Sequence, residues 1–403
     1  MSERYPGGFI TKTPPTITGP TGGEGGSASG MWNLVDVLEN EKAGDWPKPT
    51  LPRELYSWGS GNNGVTGQND AVNRSSPVQV GSDGDWSIIS AVDYAVWAIK
   101  SNGTLWSWGQ NSNGQLGHND LVSRSSPTQI GALTNWTYIA FSNRNAFALN
   151  SSGDLYVWGR NEDGSLGLGD VIPRSSPVQL EASSSYVKVD NNSDSTVLVK
   201  SDGTLWRTGD TGNLSSQVDR RVSSPVQVGS DTNWSNATQS GGSYYLFKTN
   251  GTIWSCGAGQ FGALGHNSQI NLSSPVQIGS GTNWAGISAG AACAYATTTS
   301  GELYAWGAGG SGRTGQNDIV NRSSPVQIGS LTNWSTTMAG GIGAGAALHV
   351  KTDGTLWVWG GGSGGRLGLD SEIDVSSPVQ LGSDTGWESA ANGVFSGLGI
   401  LKG

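Results

Sequence analysis

Seven times along the chain a Ser-Ser-Pro triplet closes a similar stretch, with its proline at Pro77, Pro127, Pro177, Pro225, Pro275, Pro325 and Pro378. The spacings are 50, 50, 48, 50, 50 and 53 residues. A period in this range belongs to solenoids and propellers, whose units bury their apolar faces against their neighbours. One full copy, Thr104 to Ile130, reads TLWSWGQNSNGQLGHNDLVSRSSPTQI. In that frame four short apolar runs, Thr104–Trp108, Pro127–Ile130, Trp136–Ala140 and Ala146–Asn150, are separated by Gly, Asn, Asp and Ser. Runs so short, rich in Trp, Val, Ile and Tyr, read as strands. No repeat holds helical periodicity over about ten residues, which excludes a helical solenoid. Four strands in each of seven units predict an all-β fold, a seven-bladed β-propeller whose closure leaves only short, protected edges.

The array starts midway through a repeat, at Glu54-Leu55-Tyr56-Ser57-Trp58-Gly59, and stops at Leu398–Gly403, where that missing strand would follow. The N-terminal strand is therefore expected to complete the C-terminal blade and so pair both ends. Residues 55–403 form the propeller in this reading, and residues 1–54 are different material. Pro, Gly, Thr and Ser dominate positions 1–30, too few apolar groups to fold alone. Residues 33–43 then predict a short helix, with Asn33 as N-cap, Asp36 in its first turn, Gly44 past its end and an apolar stripe of Leu34, Val35 and Leu38.

With 64 glycines and only 13% charged residues, the composition suits many tight turns. A net charge of −9 argues against nucleic acid as a partner, since phosphate binding needs Lys and Arg. Neither a signal peptide nor an apolar run of about 18 residues is present, so no membrane insertion is expected. Cys256 and Cys293 are expected as small buried thiols rather than a disulfide framework.

Fifteen of the 18 tryptophans fall at three repeat positions. Trp58, Trp108, Trp158, Trp306 and Trp359 precede the glycine of a Trp-Gly pair. Trp106, Trp206, Trp254 and Trp357 stand two places earlier. Trp86, Trp136, Trp234, Trp284, Trp334 and Trp387 open the third run. Recurrence at fixed registers marks them as packing residues.

The segments WGQNSNGQLGHND at Trp108 and WGRNEDGSLGLGD at Trp158, with the preceding AIKSNGTLW turn, resemble the repeats of the regulator of chromosome condensation family. The resemblance covers residues 55–403 and implies a seven-bladed propeller. Its founding member is a small-GTPase exchange factor that binds chromatin through a wedge-like insertion and a basic tail. Repeats of uniform length and a leader that is not basic depart from that pattern. A plant photoreceptor of the same fold uses tryptophans in a Gly-Trp-Arg-His-Thr motif that is missing here.

The leader, PGGFITKTPP followed by SASGMWNLVDVLENEKAGDWPKP, resembles the N-terminal segments of virion structural proteins of tailed bacteriophages. It implies a modular protein, synthesised in the host cytoplasm and located in the virion. Residues 1–54 would attach to other virion proteins in a multimeric assembly, through Trp32, Leu34, Leu38 and Trp46. The propeller would be displayed on a tail or capsid towards a host-surface receptor or glycan. A cellular protein-interaction or exchange-factor-like module is the alternative.

No catalytic constellation is legible, so the chain reads as no enzyme and calls for no cofactor or metal. His118 and His266 recur at one register in different repeats and His349 lies in another strand, without metal-ligand spacing. Asn69-Asp70, Asn119-Asp120 and Asn317-Asp318 read as turns that bond their own backbone. One sector breaks the pattern. Glu181 replaces the glycine that follows this run in other copies, Tyr186 stands where Trp recurs, Trp206-Arg207-Thr208-Gly209 loses its second Trp, and the next loop lacks Gly-x-Leu-Gly while setting Arg220 beside Arg221. Drift within a repeat array accounts for such a break as readily as a functional sector does, and on the latter reading Arg207, Arg220 and Arg221, with Trp97, are the candidate contact residues on the ring.

Overall fold

A computed structural model describes residues 51–403 apart from 93, 143, 183, 193, 211–220, 291, 340–344 and 394–395. The expected helix at 33–43, together with Trp32, Leu34, Leu38 and Trp46, lies outside the described residues, as does Arg220.

The chain enters the ring with β1 (Arg53–Gly59) and β2 (Arg74–Gln79). Blade 1 follows with β3 (Trp86–Val92), β4 (Ala95–Lys100), β5 (Leu105–Gly109) and β6 (Arg124–Gln129). Blade 2 is β7 (Trp136–Phe141), β8 (Asn145–Asn150), β9 (Leu155–Gly159) and β10 (Arg174–Leu180). Blade 3 is β11 (Tyr186–Asn191), β12 (Ser195–Lys200), β13 (Leu205–Asp210) and β14 (Arg221–Gln227). Blade 4 is β15 (Trp234–Ser240), β16 (Ser243–Lys248), β17 (Ile253–Gly257) and β18 (Leu272–Gln277). Blade 5 is β19 (Trp284–Gly290), β20 (Cys293–Thr298), β21 (Leu303–Gly307) and β22 (Arg322–Gln327). Blade 6 is β23 (Trp334–Ala339), β24 (Ala346–Lys351), β25 (Leu356–Gly360) and β26 (Val375–Gln380). The chain ends with β27 (Trp387–Asn392) and β28 (Ser396–Lys402).

Each blade is a four-stranded antiparallel sheet, and the seventh is composite, in the order β2-β1-β28-β27. Strand β1 pairs with β28 along its whole length, from Arg53 opposite Lys402 to Gly59 opposite Ser396. The expected closure is therefore present, with two strands supplied by each end. First strands of successive blades touch in a complete cycle, from β3 through β7, β11, β15, β19, β23 and β27 back to β3.

The core is distributed among the seams between blades. One cluster joins Trp97, Ile99 and Leu105 of blade 1 to Trp136, Ala148 and Trp158 of blade 2. Trp58, Trp108, Trp158, Trp306 and Trp359 are fully buried. Burying an aromatic of this size contributes roughly 4–6 kcal/mol of transfer free energy, as an upper bound. The second tryptophan register is half-buried and carries a lysine. The Lys100 ammonium sits 4.9 Å from the Trp86 ring and 4.7 Å from Trp106, and Lys200, Lys248 and Lys351 repeat the arrangement. Both cysteines are buried and free.

Candidate functional site

Antiparallel order puts two connections of each blade on the same side of the ring: the hairpin joining its first two strands and the long loop joining its last two. Backbone bonds tie them together, from Gln110 N to Tyr94 O (2.8 Å), Arg160 N to Arg144 O (2.9 Å) and Ala308 N to Ala292 O (3.0 Å). This loop face is the candidate site.

The loops are built in two halves. Their first half fastens the ring. The indole N–H of Trp108 donates to Val65 O in the preceding blade's loop at 2.9 Å. Trp158 donates to Gln115 O (2.8 Å), Trp306 to Ala263 O (2.9 Å), Trp359 to Arg313 O (2.9 Å) and Trp58 to Arg366 O (2.9 Å). The glycines of the repeat make this approach feasible. Gly117 has φ of 80°, and a Cβ there would stand 2.9 Å from Trp158 Nε1. Gly109, of the Trp-Gly pair, has φ of 101° and lies so near Tyr94 O that a Cβ would be 2.1 Å away.

The second half of each loop displays a side-chain pair. In four loops an aspartate and the arginine four residues later form a clip. Arg124 Nη2 meets Asp120 Oδ2 at 2.8 Å, Asp120 Oδ1 accepts from Val122 N (3.0 Å), and Arg124 Nη1 donates to Val122 O (2.7 Å). Asp70–Arg74, Asp170–Arg174 and Asp318–Arg322 repeat the ion pair at 2.7–2.8 Å. The Arg124 bond holds the Asp120 carboxyl down at about 2. Exposed ion pairs contribute little stability, but here they fix the backbone between them. The Asn-Asp pairs are thus turns, with Asn69, Asn119 and Asn317 at positive φ. Among the described residues no group of three His, Cys, Asp or Glu is placed to hold a metal.

What the clips hold up is apolar. Leu121 and Val122 are 62% exposed, Ile172 60% and Ile319 69%. Ile270 and Ile373 stand at the same register of blades 4 and 6, where a serine replaces the aspartate as the turn acceptor. This repeated aliphatic tip is the feature missed in the sequence. Its signal was present as an apolar dipeptide, Leu-Val, Val-Ile or Ile-Val, inside loops that should be polar throughout.

Of the contact residues expected on the ring, Trp97 is fully buried in β4, a strand with no exposed residue, so it packs the blade 1–blade 2 seam. Arg207 is 1% exposed, inside β13, where it extends within the blade and not from its surface. Arg221 is at the surface, 3.1 Å from Asp163 and 3.3 Å from Asp210. The ring does not bring Arg207 and Arg221 into one exposed patch.

The histidines have structural partners. Ser107 Oγ donates to Leu116 O (2.8 Å) and lies 3.0 Å from His118 Nε2. His266 repeats this with Ser255 at 2.9 Å. Burial pushes His118 down to about 4 and lowers His266. His349 stacks on Trp359 with ring centroids 4.9 Å apart, and burial pushes it down to about 3.

A closed ring with clipped aliphatic tips on one face defines a scaffold propeller, a fold of the protein-interaction kind. The regulator of chromosome condensation (RCC1) repeat model matches residues 102–149, 152–196, 250–296, 300–348 and 353–395, more than half of the chain. A second model of that repeat matches 87–115 and 136–165. The chain belongs to the regulator of chromosome condensation repeat family. The stretch unmatched between 196 and 250 coincides with most of the sector where the repeat breaks. Yeast RCC1 (Prp20), solved bound to Kap60, is 17% identical with a TM-score of 0.77, over 87% of this chain and 89% of that one. Prp20p from Saccharomyces cerevisiae, in a study of its binding to Gsp1p and histones, is 18% identical with a TM-score of 0.76, over 87% and 92%. Human WBSCR16 is 17% identical with a TM-score of 0.74, over 87% and 99%. These likenesses carry the fold. A search of curated protein sequences finds no relative.

Proposed function

We propose that the protein is a protein-docking module whose working surface is the loop face. The observation that carries this reading is the repeated exposure of aliphatic tips at one register of the loops, Val72, Val122, Ile172 and Val320 held by an Asp–Arg clip and Ile270 and Ile373 by a serine turn. Contiguous exposed apolar groups mark interaction surfaces, and in three of these loops the tip is an exposed pair, Leu121-Val122, Val171-Ile172 and Ile319-Val320. Related propellers described as bound to Kap60 or binding Gsp1p and histones lend support to a protein partner. The test is site-specific photocrosslinking in the full chain. A crosslinker in place of Val122 or Ile172 should capture a partner that one in place of Asn250, on the opposite side, does not. Equal capture from both sides, or none from the loop face, overturns the reading. Acceleration of nucleotide release from a small GTPase, lost in a Val122→Asp/Val320→Asp variant, would narrow it to an exchange factor.

The sequence of the leader favours a second reading, in which residues 1–54 anchor the module in a phage virion and the loop face meets a host-surface receptor, a glycan or other virion proteins. Strand β1 begins at Arg53 on the side of the ring opposite the loops, which suits a tether. Light scattering decides it. The full chain should multimerise or bind the particle while a chain lacking residues 1–50 stays monomeric; two monomers refute the anchor.

A further inference from the structure

At the centre of the ring, first strands of five blades line a cavity of about 170 Å³, with Ser90, Tyr138, Lys188, Asp190, Asn236 and Ser288 among its walls. Room of this size holds about five waters at roughly 30 Å³ each, or one small solute. Lys188 reaches in with its ammonium 4.4 Å from the Tyr138 ring centroid, and among the described residues the charge acting on it is that of the neighbouring Asp190. Asp190 is already engaged, accepting from Thr238 Oγ1 (2.6 Å), Gln239 N (3.0 Å) and Asn191 N (2.8 Å). Ser288 is 6% exposed, and among the described residues its Oγ has no hydrogen-bond partner, as is true of Asn236 Oδ1.

The free groups are unequal in kind. Lys188 offers three N–H donors and Ser288 one hydroxyl, against a single unpaired carbonyl on Asn236. Donors left unmade in a half-enclosed cavity cost free energy, and an ammonium partly withdrawn from water, as half-buried Lys188 is, costs most. A complementary solute is therefore rich in acceptors and negatively charged. We propose that the central cavity is a binding site for a small oxyanion, of carboxylate or phosphate class, held by the Lys188 ammonium and the Ser288 hydroxyl. The site is independent of the loop face and of what docks there.

Isothermal titration of the full chain with acetate and with inorganic phosphate tests it. Saturable one-to-one binding of either probe is expected, and which probe binds identifies the class. Lys188→Met should weaken binding about 10-fold or more, as loss of a charge-assisted bond implies. Ser288→Ala, which removes one oxygen from an otherwise intact seam, should weaken it several-fold and serves if Lys188→Met does not fold. No saturable binding of either probe overturns the proposal. So does unchanged affinity in a folded Lys188→Met protein, or in Ser288→Ala if Lys188→Met does not fold.

Discussion

A single indole N–H joins each of five blades to the loop before it, and the bond is buried in four of them and partly buried at Trp359. Trp158→Phe keeps most of the apolar volume but removes the buried indole donor to Gln115 O, so it should cost about 2–3 kcal/mol in urea unfolding. Trp106→Phe, whose half-buried indole donates to Thr104 Oγ1, should cost less. The three tryptophan registers were legible because packing residues must recur once per blade. The lysine lying over two of them was not, since Lys100 approaches from the neighbouring strand, and a lysine in sequence reads as a solvated end. His349 offers a second test. Its folded value, about 3, lies below the ordinary 6.5, so between those values the unfolded chain binds a proton that the fold refuses. Stability is undiminished above pH 6.5 and falls as pH drops towards 3, by at most about 1.4 kcal/mol per unit. His349→Asn should flatten that slope in urea midpoints measured from pH 7 to 4.

At the scale of elements, the irregular seam between blades 3 and 4 has exchanged one fastening for another. Cys256 stands where tryptophan recurs, and the loop that would accept its bond lacks Gly-x-Leu-Gly. On the inner side Gln239, fully buried, donates to Asp190 O (3.0 Å) and Ser195 O (3.1 Å) and accepts from Asn192 Nδ2 (3.3 Å). Ser195 Oγ adds contacts at 3.0 Å to Gln239 Oε1 and Tyr244 OH. A satisfied polar network specifies a seam at the risk of a large loss when broken. Gln239→Leu, similar in volume, should therefore cost roughly 3 kcal/mol or more, measured by urea unfolding. The break in the repeat was legible as missing tryptophan and glycine. Its replacement was not, because Gln239 and its partners on blade 3 are 44 to 49 residues apart and polar residues near strand ends look like turn formers. The aliphatic loop tips were not legible for a related reason: Asn and Asp account for the turn by bonding their own backbone, whatever side chains the turn carries.

For the whole molecule, closure rests on β1 lying between β28 and β2. Removing residues 396–403 takes Leu398 and Ile400 from the core and strips β1 of a partner along seven positions. That truncation should lose its cooperative thermal transition by circular dichroism and elute as aggregate. Arg53 and Lys402 are cross-strand neighbours, so an Asn-Gly turn can join them. A chain so joined, opened instead at the exposed link 229–233, should melt cooperatively near the parent. Because β1 runs straight from one side of the ring to the other, tension applied ahead of Arg53 with the loops held would act along that strand. Its rungs to β28 and β2 would then carry the load in parallel, in shear, and would not unzip one after another. A ring closed in this way is suited to being pulled.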